Sequence, residues 1–502
     1  MTALRNDIVV RVVDEGVELT DSLTQLTVGL PVSAESLKHA PASTTLEPWT
    51  TLVALGFLEQ GLSAYDIRSR QRHYLRREFK AQLPARRVDL LTFITVHVPY
   101  YRDRAATYAP SAAENDATFS RLPLMTKADL RAHFPHGLVS DTVDVPALLE
   151  SGEVELAATS GTTGERLQVF SDMAQGSVPD VYEALWNLPP SDDVPRTAVF
   201  TTPTCLGNQC HLGHAPYADR LRGEGNTLFL NSVDDLFSEL KADVVRRIVD
   251  EMHAFGPHFM LVNPFYAHWL GRQAQALKLR LPTPQLMLSC YQYLSTLQRR
   301  ALQALWGAPV YSYYFATDLS GCRLGIECMN GHLHVREDHV CLEVVGPEGP
   351  KPQGALGTLA FTALSNRVAP LVRYVVGDIG RSVEVDCDCA VNAWSTLELH
   401  GRAKDVLVRK DTHVTTRQFD DVVAQRSGID FYKATQHSLE RVDIEVVPSP
   451  DAAFHSAPLI AAVREAFGFG EVRIKEVRRL DPEASSKFRL TSPGSLKVPE
   501  LL

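Results

Sequence analysis

The chain has 502 residues, 45% apolar and 22% charged, which is mass enough for a sizeable core in two or more domains and too apolar for disorder. A net charge of −10 argues against a nucleic-acid or anionic-membrane surface, so positive potential must be built locally from individual Lys and Arg residues. Eight cysteines are too few for a disulfide scaffold, and neither a signal peptide nor an apolar run of ~20 residues is evident; a cytoplasmic protein with reduced thiols is expected.

In chain order, residues 1–45 form an alternating leader (Ile8-Val9-Val10-Arg11-Val12-Val13) that ends in a Ser/Thr/Pro-rich stretch. It reads as a strand pair or an extension with no visible chemistry. Residues 50–97 carry helical spacing through Leu52, Leu55, Leu58, Tyr65, Phe79, Leu83, Leu90, Leu91 and Ile94. Thr126 is a plausible N-cap for Lys127–Arg131. From about 197 to 385, apolar strand-like segments (197–201, 228–231, 258–262, 285–289) alternate with helical periodicity over 233–253 and 296–306. That alternation predicts a largely parallel sheet with covering helices. Shorter strands at 340–345 and 357–362, separated by Gly/Pro turns, suggest a small antiparallel barrel. Gly401-Arg402 opens a last segment with βαβ-like alternation, read as a separate small domain. The predicted class is α/β: a leader (1–45), a large domain (46–400) and a small α+β domain (401–502).

Between the segment Val154–Ala157 and the later strands lies Ala158-Thr159-Ser160-Gly161-Thr162-Thr163-Gly164-Glu165. Glycines let backbone N–H groups approach an anion closely, and the hydroxyls add uncharged donors. Such a loop suits a nucleotide polyphosphate, although Ser/Thr/Gly clusters are commonly solvated turns and no Gly-Lys-Ser/Thr makes this a Walker P-loop. No G-x-S-x-G, H-E-x-x-H or G-x-G-x-x-G occurs, which weighs against serine hydrolase, zinc protease and dinucleotide readings.

Two Cys/His clusters have ligand-like spacing. Cys328-x₅-His334 followed by Cys387-x-Cys389 offers three thiolates and an imidazole, the soft tetrahedral set that structural Zn²⁺ prefers. Cys322 and His332 are alternates, and buried reduced cysteines are the bland reading. Cys205-x₄-Cys210-His211-x₂-His214 reads as pocket lining by small polar side chains in preference to a second metal.

After the glycine loop come Tyr311-Ser312-Tyr313-Tyr314-Phe315-Ala316-Thr317-Asp318, then Arg373-Tyr374-Val375-Val376-Gly377-Asp378, Gly401-Arg402-Ala403-Lys404-Asp405 and Ser485-Ser486-Lys487-Phe488-Arg489. In this order the chain resembles the adenylate-forming superfamily of acyl-CoA synthetases, adenylation domains and luciferases. Pro99-Tyr100-Tyr101-Arg102, Leu122–Lys127 and Pro370–Tyr374 resemble its phenylacetate–CoA ligase branch.

The resemblance implies roles residue by residue. Thr159, Ser160, Gly161, Thr162, Thr163 and Gly164 match the loop around the β- and γ-phosphates of ATP. Tyr314 matches the aromatic on adenine, and Tyr291 falls in the turn that closes the adenine pocket. Thr317 matches the hydroxyl on the α-phosphate, and Asp318 stands where a glutamate binds Mg²⁺. Asp378 matches the ribose carboxylate and Arg402 the arginine near ribose and phosphate. Asp405 matches the hinge of a mobile lid, and Lys487 the lysine that the lid brings to substrate oxygen and α-phosphate. Cys205, His211 and His214 fall where this branch builds its acid pocket; the Cys/His and Cys-x-Cys set also has a counterpart there.

The implied activity is ATP- and Mg²⁺-dependent adenylation of a small, aromatic carboxylic acid. The acyl group then passes to a thiol, that of CoA or a carrier protein. Several positions depart from the family pattern: Cys290–Gln292 replace a Gly-Gly-Glu-like turn, Phe315 a glycine, Arg166 a proline, and Asp411 and Ser486 glycines. These departures keep two alternatives open. One is a different oxyacid such as nitrite, or an amine acceptor in secondary metabolism; the other is a catalytically weak nucleotide-binding relative. No nucleic acid or membrane partner is expected, and a homodimer stays open.

Overall fold

The computed structural model describes residues 4–14, 16–22, 26–37, 48–58, 61–158, 167–172, 182–188, 194–200, 217–222, 225–230, 241–410, 412–483 and 486–498. The leader forms three antiparallel strands, β1 (Ile8–Val13), β2 (Gly16–Asp21) and β3 (Thr27–Leu30), one more than the expected pair. Val17, Leu19 and Leu30 close a small core with Leu52, Leu55, Phe57 and Leu58. Arg5 and Gln71 both hydrogen-bond the buried Asp21 carboxylate, at 2.6 Å each, and so tie this sheet to α1 (Ala64–His97). A Ser63/Asp66 capping box starts α1, and Pro99 directly follows the residue that ends it.

Strands β4 (Val154–Ala158) and β5 (Gln168–Asp172) pair as a hairpin. The body of the molecule is a 13-stranded mixed sheet. Its first half is parallel: β6 (Thr197–Phe200), β7 (Phe259–Val262), β8 (Leu286–Ser289) and β9 (Val310–Ala316). Helices α2 (Ala242–Phe255), α3 (Pro264–Ala276) and α4 (Thr296–Trp306) connect and cover these strands, as the alternating pattern predicted. The first of them is shorter than the expected 233–253 segment, whose start lies outside the described residues. Helix α4 matches its expected span because both ends are written locally. Ser295 accepts the Gln298 N–H at 3.1 Å, and Gly307 takes φ +65°.

From β9 onward the pairing turns antiparallel through β10 (Cys322–Glu327), β11 (Leu333–Val335), β12 (Val340–Gly346), β13 (Gly357–Ala363), β14 (Tyr374–Val383) and β15 (Thr396–Arg402). The strands expected as a small barrel are therefore continuous with the main sheet, joined where His334 of β11 pairs with Thr396 of β15. Leu90, Leu91, Ile94, Tyr101 and Phe119 pack against Phe361 and Tyr374 to form the core of this half.

After β15 the chain forms a unit with its own four-stranded sheet, in the order β18-β17-β16-β19. It comprises α5 (Thr416–Val423), β16 (Ile429–Gln436), β17 (Arg441–Pro448), α6 (Ser456–Phe467), β18 (Glu471–Glu476) and β19 (Thr491–Ser492). This unit shares a continuous apolar core with α3 and α4. Phe488 stacks on Phe265 with centroids 4.4 Å apart and planes 1° from parallel. Beside that stack, the Asp430 carboxylate meets His268 at 3.2 Å and Arg272 at 2.9 Å.

Candidate functional site

A cleft of about 1250 Å³ opens where the sheet changes from parallel to antiparallel, and the C-terminal unit forms its other wall. Strand β9 delivers Tyr313, Tyr314 and Phe315 to it, and a single 3₁₀ turn, Thr317–Leu319, presents Thr317 and Asp318. The chain reverses there through Ser320 (φ +57°) and Gly321 (φ +71°). A Cβ on Gly321 would lie 2.2 Å from the Ser171 hydroxyl, so this turn requires glycine.

Two polar groupings organise the floor. Asp378 and Arg402 face each other in the β14/β15 register, and the Arg402 Nε lies 2.9 Å from one Asp378 oxygen. The Tyr314 hydroxyl donates to the other oxygen at 2.7 Å. Burial, reinforced by the carboxylate, holds the Tyr314 phenol far above its ordinary pKa, while Asp378 raises that of Arg402. In the second grouping Asp318 accepts the Tyr374 hydroxyl at 2.7 Å and pairs with Lys127 at 3.5 Å. The Tyr374 phenol is likewise pushed up by burial and by Asp318.

The C-terminal unit contributes Lys487 to the same cleft. Ser486, immediately before it, adopts φ +56°, and its carbonyl accepts the Tyr266 hydroxyl at 3.2 Å. Asp405 is anchored within its own unit by the Arg489 Nε at 2.7 Å; burial pushes its carboxyl up against the pull of Arg489. Its neighbour Lys404, which also lines the cleft, is lowered to about 8 by burial. Tyr291 takes φ +72°, which turns its ring edge-on to Phe315 at 5.7 Å. Gln292 links the two units: its side-chain oxygen accepts Asn263 Nδ2 at 3.1 Å and the Phe488 N–H at 3.3 Å.

The structure thus gathers Thr317, Asp318, Tyr291, Tyr314, Asp378, Arg402, Asp405 and Lys487 around one cleft. Thr159, Ser160, Gly161, Thr162, Thr163 and Gly164 lie outside the described residues. The strands flanking that loop, β4 and β5, nevertheless place Glu155, Ala157 and Ser171 on the cleft wall. Cys205, His211 and His214 also lie outside the described residues, as do Arg166 and Asp411. Sequence reasoning assigned no site role to Lys127, Tyr374, Gln292 or Arg323. Lys127 and Tyr374 sat in motifs it had noted, but their convergence on Asp318 depends on a chain crossing of about 250 residues, which no local spacing encodes.

The Cys328, His334, Cys387 and Cys389 ligand atoms all lie within 4.8 Å of one another, and all four residues are buried. Cys328 Sγ is 3.6 Å from Cys387 Sγ, and Cys389 Sγ is 3.3 Å from His334 Nε2. The other ring nitrogen, Nδ1, faces the Trp394 carbonyl at 3.3 Å, which orients the imidazole as a ligand needs. Hydrogen bonds within the set, first from Cys328, hold the Cys387 thiol down; burial lowers His334 but is outweighed by its hydrogen bonds to Cys328 and Cys387, which lift it to about 9. The cluster draws in positive charge. The alternates Cys322 and His332 do not belong to it.

No family model matches the chain. It is 24% identical to phenylacetate–coenzyme A ligase of Thermus thermophilus over 367 residues, 69% of this chain and 76% of that one. Against phenylacetate–coenzyme A ligase of Pseudomonas putida it is 25% identical over 342 residues, 65% of this chain and 71% of that one. These relatives support the phenylacetate–CoA ligase-like branch of the adenylate-forming superfamily. The chain shares the superfamily fold with 2-hydroxyisobutyryl-CoA ligase solved in the postadenylation state with 2-HIB-AMP, at TM-score 0.60 and 18% identity over 84% of this chain and 87% of that one. The departures from the superfamily pattern now have a geometry. Tyr291 and Ser486 occupy left-handed backbone positions where the pattern has small residues, and Phe315 turns its ring toward Tyr291.

Proposed function

We propose that the protein is an AMP-forming acid–thiol ligase that adenylates a small aromatic carboxylic acid in the cleft and passes the acyl group to a thiol. One observation carries this reading. Lys487, from the C-terminal unit, lines the same cleft as Thr317, Asp318 and the Tyr314–Asp378–Arg402 grouping.

In this reading a carboxylate oxygen attacks the α-phosphorus of ATP, the bond to the β-phosphate oxygen breaks and pyrophosphate leaves. Asp378 takes the ribose hydroxyls, and Arg402, paired with it, faces the phosphates. Tyr314 borders the adenine. Thr317 donates to the α-phosphate, and Lys487 places a cation where negative charge grows on the equatorial oxygens. The residues 159–164 close over the outer phosphates. Asp318, which now pairs with Lys127, would hold Mg²⁺, and the ion would supply positive charge for the departing pyrophosphate. Residues 401–502 serve as the lid, with Asp405 at the hinge, and exclude water from the mixed anhydride.

Thiol attack on the acyl carbonyl then releases AMP, with CoA or a carrier-protein phosphopantetheine as the thiol. The rings of Tyr291, Tyr313 and Phe315 support a planar acid; Cys205, His211 and His214 are the further acid-pocket residues that the resemblance implies. The Cys328/His334/Cys387/Cys389 set fits a structural Zn²⁺ by donor type, proximity and the orienting contact to Trp394, and would pin the 387–389 loop to β11. Among the described residues no helix is long and apolar enough to cross a membrane, and we place the enzyme in the cytoplasm.

The test is pyrophosphate release from the purified protein with ATP and Mg²⁺, across aryl acids and small oxyacids, with and without CoA. Release that depends on one acid and rises with CoA is the expected result. Silence across the panel while ATP binds would favour the catalytically weak relative.

A further inference from the structure

Arg323 is a charged residue of the cleft that the reaction above does not use. It stands directly opposite Phe315 in the β9/β10 register, where a bulge between Tyr314 and Phe315 re-aims the strand just before Thr317. Its guanidinium carbon lies 4.7 Å from the Phe315 ring centroid and 5.2 Å from that of Tyr313. Two aromatic faces therefore hold the planar cation in place and leave its edge for hydrogen bonding.

Its neighbours show what is unusual about it. Arg299 is neutralised by Glu327 at 2.9 Å and Arg336 by Asp338 at 2.7 Å. Arg323 has no carboxylate partner among the described residues. Nη1 reaches the Gly321 carbonyl at 3.4 Å, and Nε is buried without a hydrogen-bond partner. A half-buried guanidinium with no carboxylate beside it is costly unless something anionic meets the edge it turns to the cleft. In a protein of net charge −10, a cation preserved in this way inside the substrate cleft points to a ligand.

We propose that Arg323 determines specificity by binding a second anionic group on the acid, so that the substrate is a compact dicarboxylic acid activated at its other carboxylate. This rests on the adenylation reading, and it names the substrate class. Phe315 and Tyr291, perpendicular at 5.7 Å, would flank the carbons joining the two carboxylates. A fork-shaped guanidinium binds a carboxylate through two parallel N–H···O bonds, a geometry that a monoacid of the same size cannot satisfy.

The experiment compares the wild type, Arg323→Met and Arg323→Lys with isophthalate, terephthalate and glutarate against benzoate and butyrate. Calorimetric binding in the presence of AMP is measured beside pyrophosphate release. The wild type should prefer at least one dianion. Arg323→Met should weaken that dianion roughly 10- to 100-fold in Kd and KM, with kcat, monoacid binding and ATP affinity little changed. Arg323→Lys should recover part of the loss. No dianion preference in the wild type, or an equal loss for mono- and dianions in Arg323→Met, overturns the proposal. Arg323-dependent dianion binding without pyrophosphate release upholds the site and removes the adenylation reading instead.

Discussion

Asp420, in the C-terminal unit, accepts the backbone N–H of Thr296 at 2.7 Å and so caps the first turn of α4 from across the interface. The Tyr432 hydroxyl donates to its other oxygen at 3.0 Å. A carboxylate suits the positive end of a helix, but burial dominates here and pushes the carboxyl up to about 6. An unfolded aspartate titrates near 4. Between those values the folded chain holds a proton that the unfolded chain has released, so stability falls as pH rises through this window and levels off above about 6. About two pKa units correspond to roughly 3 kcal/mol. Asp420→Asn should flatten this component of the melting temperature between pH 4 and 7; an unchanged profile would show that Asp420 does not titrate there.

Lys487→Ala should lower acid-dependent pyrophosphate release by roughly 10²–10³-fold, because a transition-state charge loses its partner. ATP affinity, measured by calorimetry, should change little, since Tyr314, Asp378 and Arg402 remain in place. Equal loss of binding and turnover would make Lys487 a ground-state phosphate contact.

Ser486 sits at φ +56°, a conformation costing a non-glycine residue roughly 1 kcal/mol. Its φ is fixed in part by the Tyr266 hydroxyl on its carbonyl. Ser486→Gly should relieve the strain while loosening the backbone beside Lys487. Melting temperature should hold or rise slightly, and turnover should shift by a few-fold; a sharp drop in stability would mean that the Ser486 side chain itself carries the contact.

If the four-residue Cys/His set holds zinc, elemental analysis of the purified protein should find about one equivalent. Cys387→Ser should remove it and lower the melting temperature by several degrees, because metal affinity is then part of folding free energy. Cys322→Ser, at a buried cysteine outside the set, should leave metal content intact.

Much of the scaffold was legible because it is written locally. Ser295 and Gly307 bound α4, and the alternation of apolar runs with helical spacing gave the parallel half of the sheet. The four metal-ligand candidates converge as their spacing suggested, since Cys-x-Cys and Cys-x₅-His each fix half a set on one loop or hairpin. What escaped the sequence was long-range pairing of charge. Arg272 on α3 belongs to no motif, yet it meets Asp430, 158 positions away, in the interface. Arg323 escaped because an arginine near the start of an internal strand signals nothing until its missing counterion can be seen.

The apolar seam between the large sheet's helices and the C-terminal unit has a thermal consequence. Parting Phe265 from Phe488, and His268 and Trp269 from Phe431, would expose ring surface to water. Hydrating such surface raises the heat capacity, and the driving force for burying it weakens on cooling. The docked arrangement is therefore held least firmly in the cold, so that cooling by itself loosens the seam.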